Sequence, residues 1–296
     1  MDYCQLQNSD LSISKISLGT MSFSNDLSEV SKMIDFCQEQ KVNLLDTADL
    51  YEKGEIEKLL GKAMTGKRDQ FVVASKVGNV WNSDGSSWHW DPSPKHIRQG
   101  LEQSLNRLNT DYLDLYQLHG GTIEDPWDDI FSTFEDLKAE GKIRAYGVSS
   151  IRPNVVRIVS EKSNASTIMS QYSPLDRRPE ENIFPLADEA GIKILARGVF
   201  AKGLLINKPS KPYLNHGEAG VASAKRLINS YEYSPESILI RFAQAQKAIG
   251  SLVIGARTLD QLKATLQGFL ESKAIPDDLI EDLQSKLPVN VYESHR

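Results

Sequence analysis

Short apolar runs of strand length alternate along this chain with longer segments whose apolar positions recur every three or four residues. "SKISLGT" is followed by "SEVSKMIDFCQEQK", in which Val30, Met33, Ile34 and Cys37 fall on one helical face. "VNLLDTA" precedes "GEIEKLLGKAM", and "FVVASKV" leads through a long loop to "PKHIRQGLEQSLNRL". "YLDLYQLH" precedes "WDDIFSTFEDLKAEG", "IRAYGVSS" precedes "PNVVRIVSEK", and "STIMSQYS" precedes "ENIFPLADEAG". "IKILARG" opens a long region ending in "PESILIRFAQAQ", and "SLVIGA" is followed by "LDQLKATLQGF". Runs such as "IKIL" show no apolar–polar alternation, as expected of parallel strands buried on both faces.

Eight strand–helix units predict a closed parallel (β/α)8 TIM barrel. "MDYCQLQNSDLSIS" predicts an N-terminal β-hairpin turning at Asn8–Asp10 under the barrel, and "IPDDLIEDLQSKL" predicts an extra C-terminal helix outside it. No proline- or glycine-rich linker divides the chain, which predicts one domain over residues 1–296. An open doubly wound sheet is the competing fold. The eightfold count and the lack of a GxGxxG turn after the first strand argue against it.

Charge and composition narrow the function classes. A net charge of -6 provides no basic field for nucleic acid, and no apolar run has the length of a membrane span. The first residues lack the basic and apolar regions of a signal peptide, and two cysteines, Cys4 and Cys37, make no disulfide framework. A cytoplasmic location is expected. The five histidines do not form a ligand set on strand ends, so no metal is expected and a metal-dependent barrel hydrolase is disfavoured.

Barrels of this kind gather their active sites where strands end and βα loops begin. The second strand ends at Asp46 with Tyr51 in its loop, the third at Lys76, the fourth at His119. Singly, each has a bland reading: a helix cap, a packed ring, a solvated lysine, a satisfied core histidine. Together they make chemical sense. A phenol with an ordinary pKa near ~10 is a poor acid at neutral pH, and an adjacent ammonium favours its phenolate. An aspartate would hold a buried lysine charged, and a histidine would orient a carbonyl oxygen. Such a site protonates an oxygen as it becomes negative, as reduction of a carbonyl by a hydride donor requires.

"LGTMSF", "LLDTADLYEKGEIEKLLGKAM", "VVASKVG", "DYLDLYQLHG", "LKAEGKIRAYGVSS" and "VIGARTLDQL" resemble, in order and over nearly the whole chain, the aldo-keto reductase family. The resemblance is closest to the bacterial branch related to potassium-channel β-subunits. It implies a catalytic tetrad of Asp46, Tyr51, Lys76 and His119, the cofactor pair NADPH/NADP+ without metal, and a small-molecule carbonyl substrate. It also implies a monomer or weak homo-oligomer.

The same resemblance sets Gly19, Thr20, Met21 and Asp46 against the cofactor. It gives the nicotinamide amide to Ser149, Ser150 and Gln171, with Ser150 replacing the family's usual Asn. Ser149 and Ser150 have a rival role in capping the helix before Pro153. Arg197 stands where relatives carry a stacking aromatic, followed by Gly198, Val199 and Phe200. Lys202, Gly203 and Leu204 match a pyrophosphate loop. Arg257 and Thr258, opening the last helix beyond Gly255, suit a 2′-phosphate. Gln261 is assigned to the adenine, and Ala264 and Thr265 replace the usual adenine-binding pair.

The loop after Lys76, "NVWNSDGSSWHWDPSP", holds three of the four tryptophans. Trp81 and Trp88 are expected to wall the substrate pocket with Met21 and Phe23, while Trp90 pins the loop. Arg177 and Arg178 either face the substrate or cap the next helix. The rival to a reductase is a nicotinamide-sensing binding module with weak or no turnover.

Overall fold

The computed structural model describes residues 1–296. Eight of its twelve strands are parallel and close a barrel. They are β3 (Ile16–Gly19), β4 (Leu44–Asp46), β5 (Val72–Val77), β8 (Leu113–Leu118), β9 (Ile143–Ser149), β10 (Thr167–Gln171), β11 (Lys193–Arg197) and β12 (Ile249–Gly255), which pairs back onto β3. This is the (β/α)8 barrel that the alternation predicts.

Each predicted helical segment forms a helix. α1 (Leu27–Glu39) buries Val30, Met33, Ile34 and Cys37, the four residues that its period sets on one face. It starts where Asp26 accepts hydrogen bonds from the backbone of Ser28 (2.9 Å) and Glu29 (3.4 Å), satisfying amides that have no partner inside the helix. α2 (Glu55–Ala63) and α3 (Pro94–Leu108) follow. α3 combines a Ser93 cap, Pro94 in its first turn and left-handed Asn109 (φ 54°) at its end. The others are α4 (Trp127–Ala139), α5 (Pro153–Lys162), α6 (Ile183–Glu189), α7 (Glu218–Ile228), α8 (Pro235–Gln244), α9 (Leu259–Ser272) and α10 (Asp277–Lys286). None is long and apolar enough to cross a membrane.

The N-terminal hairpin forms as expected. β1 (Tyr3–Gln5) pairs antiparallel with β2 (Ser12–Ser14), and Asn8 takes the left-handed conformation of the turn (φ 58°). Leu6, Leu11 and Ile13 are fully buried against Leu44, Ala74, Leu115, Ala145, Met169, Leu195 and Val253, which come from seven different barrel strands. The hairpin is therefore the floor of the barrel, and each such side chain taken from water contributes about 1.5–3 kcal/mol.

Two elements lie beyond the sequence reading. The loop after Lys76 folds as an antiparallel hairpin of β6 (Asn79–Trp81) and β7 (Trp88–Trp90). The signal was present: Asp84-Gly85 between aromatic residues is a hairpin turn pair, and Gly85 adopts φ 66°. α7 forms within the long region before α8, burying Val221, Ala224 and Ile228.

Candidate active site

Alternation along each strand decides which side chains enter the barrel. On β5, Val72 and Ala74 face the floor cluster, so Lys76, two residues on, faces inward at the opposite end. Asp46 ends the neighbouring β4. Lys76 Nζ donates to Asp46 Oδ1 (2.7 Å) and Oδ2 (2.8 Å) and to the carbonyl of Thr47 (2.7 Å). All three ammonium hydrogens thus have acceptors, although the lysine side chain is fully buried. Burial pushes the Asp46 carboxyl up and the Lys76 ammonium opposes this. Burial likewise works against a charged Lys76, but Asp46 and Tyr51 outweigh it and raise its pKa. Burial thus disfavours charge on both groups, and their contact opposes that effect on both.

Tyr51 lies on the turn after β4, its ring centroid 5.3 Å from Lys76 Nζ. His119, the first residue past β8, meets the Tyr51 ring edge to face, with centroids 6.2 Å apart. Its imidazole pKa is pushed down to about 3, by burial first and then by the charges of Lys76 and Arg197. His119 is therefore neutral at physiological pH, and its buried Nδ1 has no protein partner. The structure brings these four residues together at one end of the barrel. It adds Gln117, which sequence reasoning passed over. Gln117 is fully buried beside Lys76 in the strand register, and neither atom of its amide has a partner. The period of two that places His119 inward in "LYQLH" places Gln117 inward as well.

The tryptophan hairpin stands over this end. Trp81 and Trp88 are cross-strand partners in edge-to-face contact, centroids 5.3 Å apart, and Lys53 Nζ lies 5.1 Å from the Trp81 ring. Trp88 is exposed, whereas the buried indole N–H of Trp81 has no acceptor. Trp90 pins the loop: its ring covers Gly78 and Gly120, and its N–H reaches both carboxylate oxygens of Asp125 at 3.1 Å. Phe23 follows Met21 in the loop after β3. Its side chain is buried in the main hydrophobic core, where burying an aromatic ring is strongly favourable, and Met21 is the exposed apolar group of that loop.

On the other half of the rim, Ser149 and Ser150 are both buried. Ser150 Oγ accepts from Arg152 N (3.2 Å), and the N-cap residue of α5, Arg152, makes no side-chain cap, so serine capping is confined to that preceding turn. Arg197 donates to Gln171 Oε1 (3.0 Å), Gln171 Nε2 donates to Asp176 Oδ2 (2.7 Å), and Asp176 accepts two bonds from Arg178 (2.7 and 2.9 Å). A guanidinium on one side and a carboxylate on the other fix which way the Gln171 amide points. Arg178 is thereby committed to Asp176. Arg177 is buried, binding Glu180 and the carbonyls of Gln284 and Leu287 at the end of α10, so neither arginine caps α6.

Beyond Arg197, Gly198 (φ 76°), Ala201 (φ 46°), Lys202 (φ 58°) and Gly203 (φ 85°) give a tightly wound loop. The side chains of Val199 and Leu204 are buried, Phe200 is half-buried and Lys202 is exposed. At α9, Thr258 is the cap, accepting from Gln261 N (3.3 Å), and Gln261 Oε1 accepts from Arg257 N (2.9 Å). That reciprocal bond engages the Gln261 side chain at its own helix end. Thr265 is buried and donates to the Gln261 carbonyl (3.1 Å), while Arg257 is exposed. Gly198, Gly255 and Gly19 stand at the ends of adjacent strands β11, β12 and β3. They line the arc of rim that leads from these four residues toward α9.

The sequence profile of the Aldo/keto reductase family matches residues 15–287, and the chain belongs to that family. Among curated relatives, the "uncharacterized oxidoreductase YqkF" of Bacillus subtilis is 40% identical over 305 residues, covering 99% of this chain and 98% of the relative. The "aldo-keto reductase YhdN" of the same organism is 31% identical over 226 residues, covering 74% of this chain and 68% of the relative. Among solved structures, the holo form of aldo-keto reductase AKR11C1 from Bacillus halodurans matches with a TM-score of 0.95 and 40% identity, covering 100% of this chain and 99% of that one. The apo form of the same protein matches with a TM-score of 0.86.

Proposed function

We propose that this chain uses NADPH to reduce aldehydes or ketones to alcohols, with Tyr51 as the proton donor. The observation that carries this reading is the buried, fully hydrogen-bonded Lys76 ammonium beside the Tyr51 ring, with neutral His119 meeting the same ring edge to face. A fixed positive charge next to a phenol favours loss of the phenolic proton, and Asp46 keeps that charge on the lysine. His119, neutral and with an unengaged buried nitrogen, orients the carbonyl oxygen without adding charge. Tyr51 then delivers its proton as negative charge develops on that oxygen. Trp81 and Trp88 shield the reacting atoms from water.

The residues along that arc of the rim fit a nicotinamide dinucleotide, which would lie there in a trough running from Tyr51 to α9. Three strand-end glycines admit an extended ligand, and Ser149 and Gln171 offer polar groups at its tetrad end. The loop through Lys202 and the start of α9 offer a cation and backbone amides for phosphate groups. The greater likeness to the holo form of AKR11C1 than to its apo form supports the same fit. When bound, the nicotinamide supplies the hydride. Arg257, exposed beside the α9 N-terminus, would meet the 2′-phosphate, and this favours NADPH over NADH. A reducing cytoplasm suits the two unpaired cysteines.

The test is an aldehyde and ketone panel in which loss of NADPH absorbance is followed beside NADH. Steady turnover with NADPH is expected. Tight cofactor binding with negligible turnover across the panel would replace the reductase by a nicotinamide-sensing module.

A further inference from the structure

Tyr51 sits on a tight turn outside the barrel strands, tied to β5 two residues earlier by Asp49 N donating to Lys76 O (3.4 Å). Its local backbone bonds include Tyr51 N to Ala48 O (3.2 Å), Lys53 N to Leu50 O (3.3 Å) and Glu55 N to Glu52 O. Three successive residues there, Glu52, Lys53 and Gly54, have positive φ (47°, 55° and 87°). Two of them are not glycine, and such a conformation persists only when the surroundings over-determine it.

What surrounds the turn is a charged cluster outside the barrel wall. The Arg107 side chain, from the end of α3, runs directly under Gly54: a Cβ at Gly54 would lie 2.7 Å from both Cδ and Nε of Arg107. Arg107 is held in turn by Nε donating to Glu57 Oε2 (2.6 Å) and Nη2 donating to Ser104 Oγ (3.1 Å). Glu57, on α2, is fully buried, and its other oxygen accepts from Ser75 Oγ (2.5 Å). Ser75 immediately precedes Lys76 on β5, facing outward where Lys76 faces inward. A continuous path therefore runs from the strand that carries Lys76, through Glu57 and Arg107, to the turn that carries Tyr51.

Resting on the reading of Tyr51 as proton donor, we infer that Glu57 and Arg107 are positioning residues: their buried ion pair sets the height of the Tyr51 turn over Lys76. A buried pair is weak evidence for stability, since an apolar pair of similar volume can serve a fold as well, and its best attested use is to fix one arrangement among several. Arg107 and Glu57 touch neither the ring of Tyr51 nor the ammonium of Lys76. They act through Gly54 and through Ser75. Asp49, half a turn before Tyr51, shares this setting: its Oδ1 is buried without a partner, and the charges of Glu57, Arg107 and Lys76 all reach it.

The test is a double-mutant cycle on the full-length enzyme, with NADPH and an accepted aldehyde. Glu57→Gln/Arg107→Met removes both charges together and leaves neither ion unpaired. Arg107→Lys keeps the charge but loses the planar fork, and serves if the double variant does not fold. The expected result is a kcat about tenfold lower or more, with the Kd for NADPH within about twofold of wild type. In a Tyr51→Phe background the same changes should alter the residual single-turnover rate by less than about twofold, because the group they position is gone. Wild-type kcat in both variants would overturn the inference. So would a loss that persists undiminished in the Tyr51→Phe background, which would show the pair acting elsewhere while Tyr51 remains the donor. Full activity of Tyr51→Phe itself would remove the proton donor, and the positioning role with it.

Discussion

The half of the rim built on β4, β5 and β8 and the half built on β9 to β12 handle buried charge in different ways. In the first, one ammonium is matched at contact distance by one carboxylate and a carbonyl, and the charges close on themselves. In the second, the charge of Arg197 passes through the neutral amide of Gln171 before it meets Asp176, and Asp176 is already doubly bonded to Arg178. The first arrangement fixes a protonation state. The second leaves Arg197 without a carboxylate of its own, so its field reaches both Asp46 and His119. One half closes its charges on one another, and the other extends positive potential across the rim to Asp46 and His119.

The largest effect is expected in the closed half. Tyr51→Phe should leave the fold and NADPH binding intact while lowering kcat by about a hundred- to ten-thousandfold, the span attributed to a positioned general acid. Retained carbonyl reduction in stopped-flow assays would refute the proton donor.

The trough's far end comes next. Arg257→Ala should weaken NADPH by about tenfold and leave NADH nearly unchanged in fluorescence titrations. This lies at the low end for a charge-assisted contact because Arg257 is exposed. Equal losses for both cofactors would show that Arg257 supports the loop instead.

Arg197→Tyr sharpens the contrast between the halves. With the cofactor placed as proposed, replacing the guanidinium with a ring removes a cation from beside the nicotinamide, which is cationic when oxidised, and should tighten NADP+ several-fold relative to NADPH. It also frees the Gln171 amide from one of its two anchors. Unchanged NADP+ affinity by calorimetry would mean that Arg197 serves Gln171 alone.

The smallest effect concerns pH. His119 has a depressed folded pKa, about 3 against an ordinary 6.5, so the unfolded chain binds the extra proton and stability rises with pH across that window. Asp49 has a raised one, about 7 against 3.8, first through burial and then through Glu57, so stability falls with rising pH across its window. Between about pH 4 and 6.5 the two slopes oppose each other, each at most ~1.4 kcal/mol per pH unit. Asp49→Asn removes the falling slope. The difference in Tm between pH 6.5 and pH 5 should become more positive than in wild type by a few degrees, and an unchanged difference in calorimetry would refute it.

That Asp46, Tyr51, Lys76 and His119 meet at one end of the barrel was legible because their placement is local. A strand's period and its end decide where Asp46, Lys76 and His119 go, and Tyr51 is five residues from Asp46. The four buried positions of α1 were legible for the same reason. The rest depended on partners far along the chain. Nothing near Arg177 foretells that it binds carbonyls at the end of α10, over a hundred residues later. Phe23 reads equally well as a pocket wall or as core, and only the packing of the surrounding helices chooses core. Gln261 has a free amide in the sequence, and the turn of Arg257 takes it up. The β6–β7 hairpin carried a turn signal that the length of its loop obscured.

The seam at which the barrel closes has a consequence for how this chain is made. β3 begins at residue 16 and pairs with β12, which ends at residue 255. Ser17 and Ser251 bond across that seam, and Ser251 Oγ also donates to the carbonyl of Ser14 (2.6 Å). During synthesis the first strand of the barrel must therefore wait for nearly the entire chain before its open edge is covered. Over the same interval Leu6, Leu11 and Ile13 have no finished barrel end to pack against. Pairings so distant in sequence form late and slowly, and an uncovered edge beside unburied apolar residues invites association with other chains. The nascent protein is most exposed to aggregation just before its last strand emerges, and a truncation that removes β12 leaves both the edge and the floor permanently open.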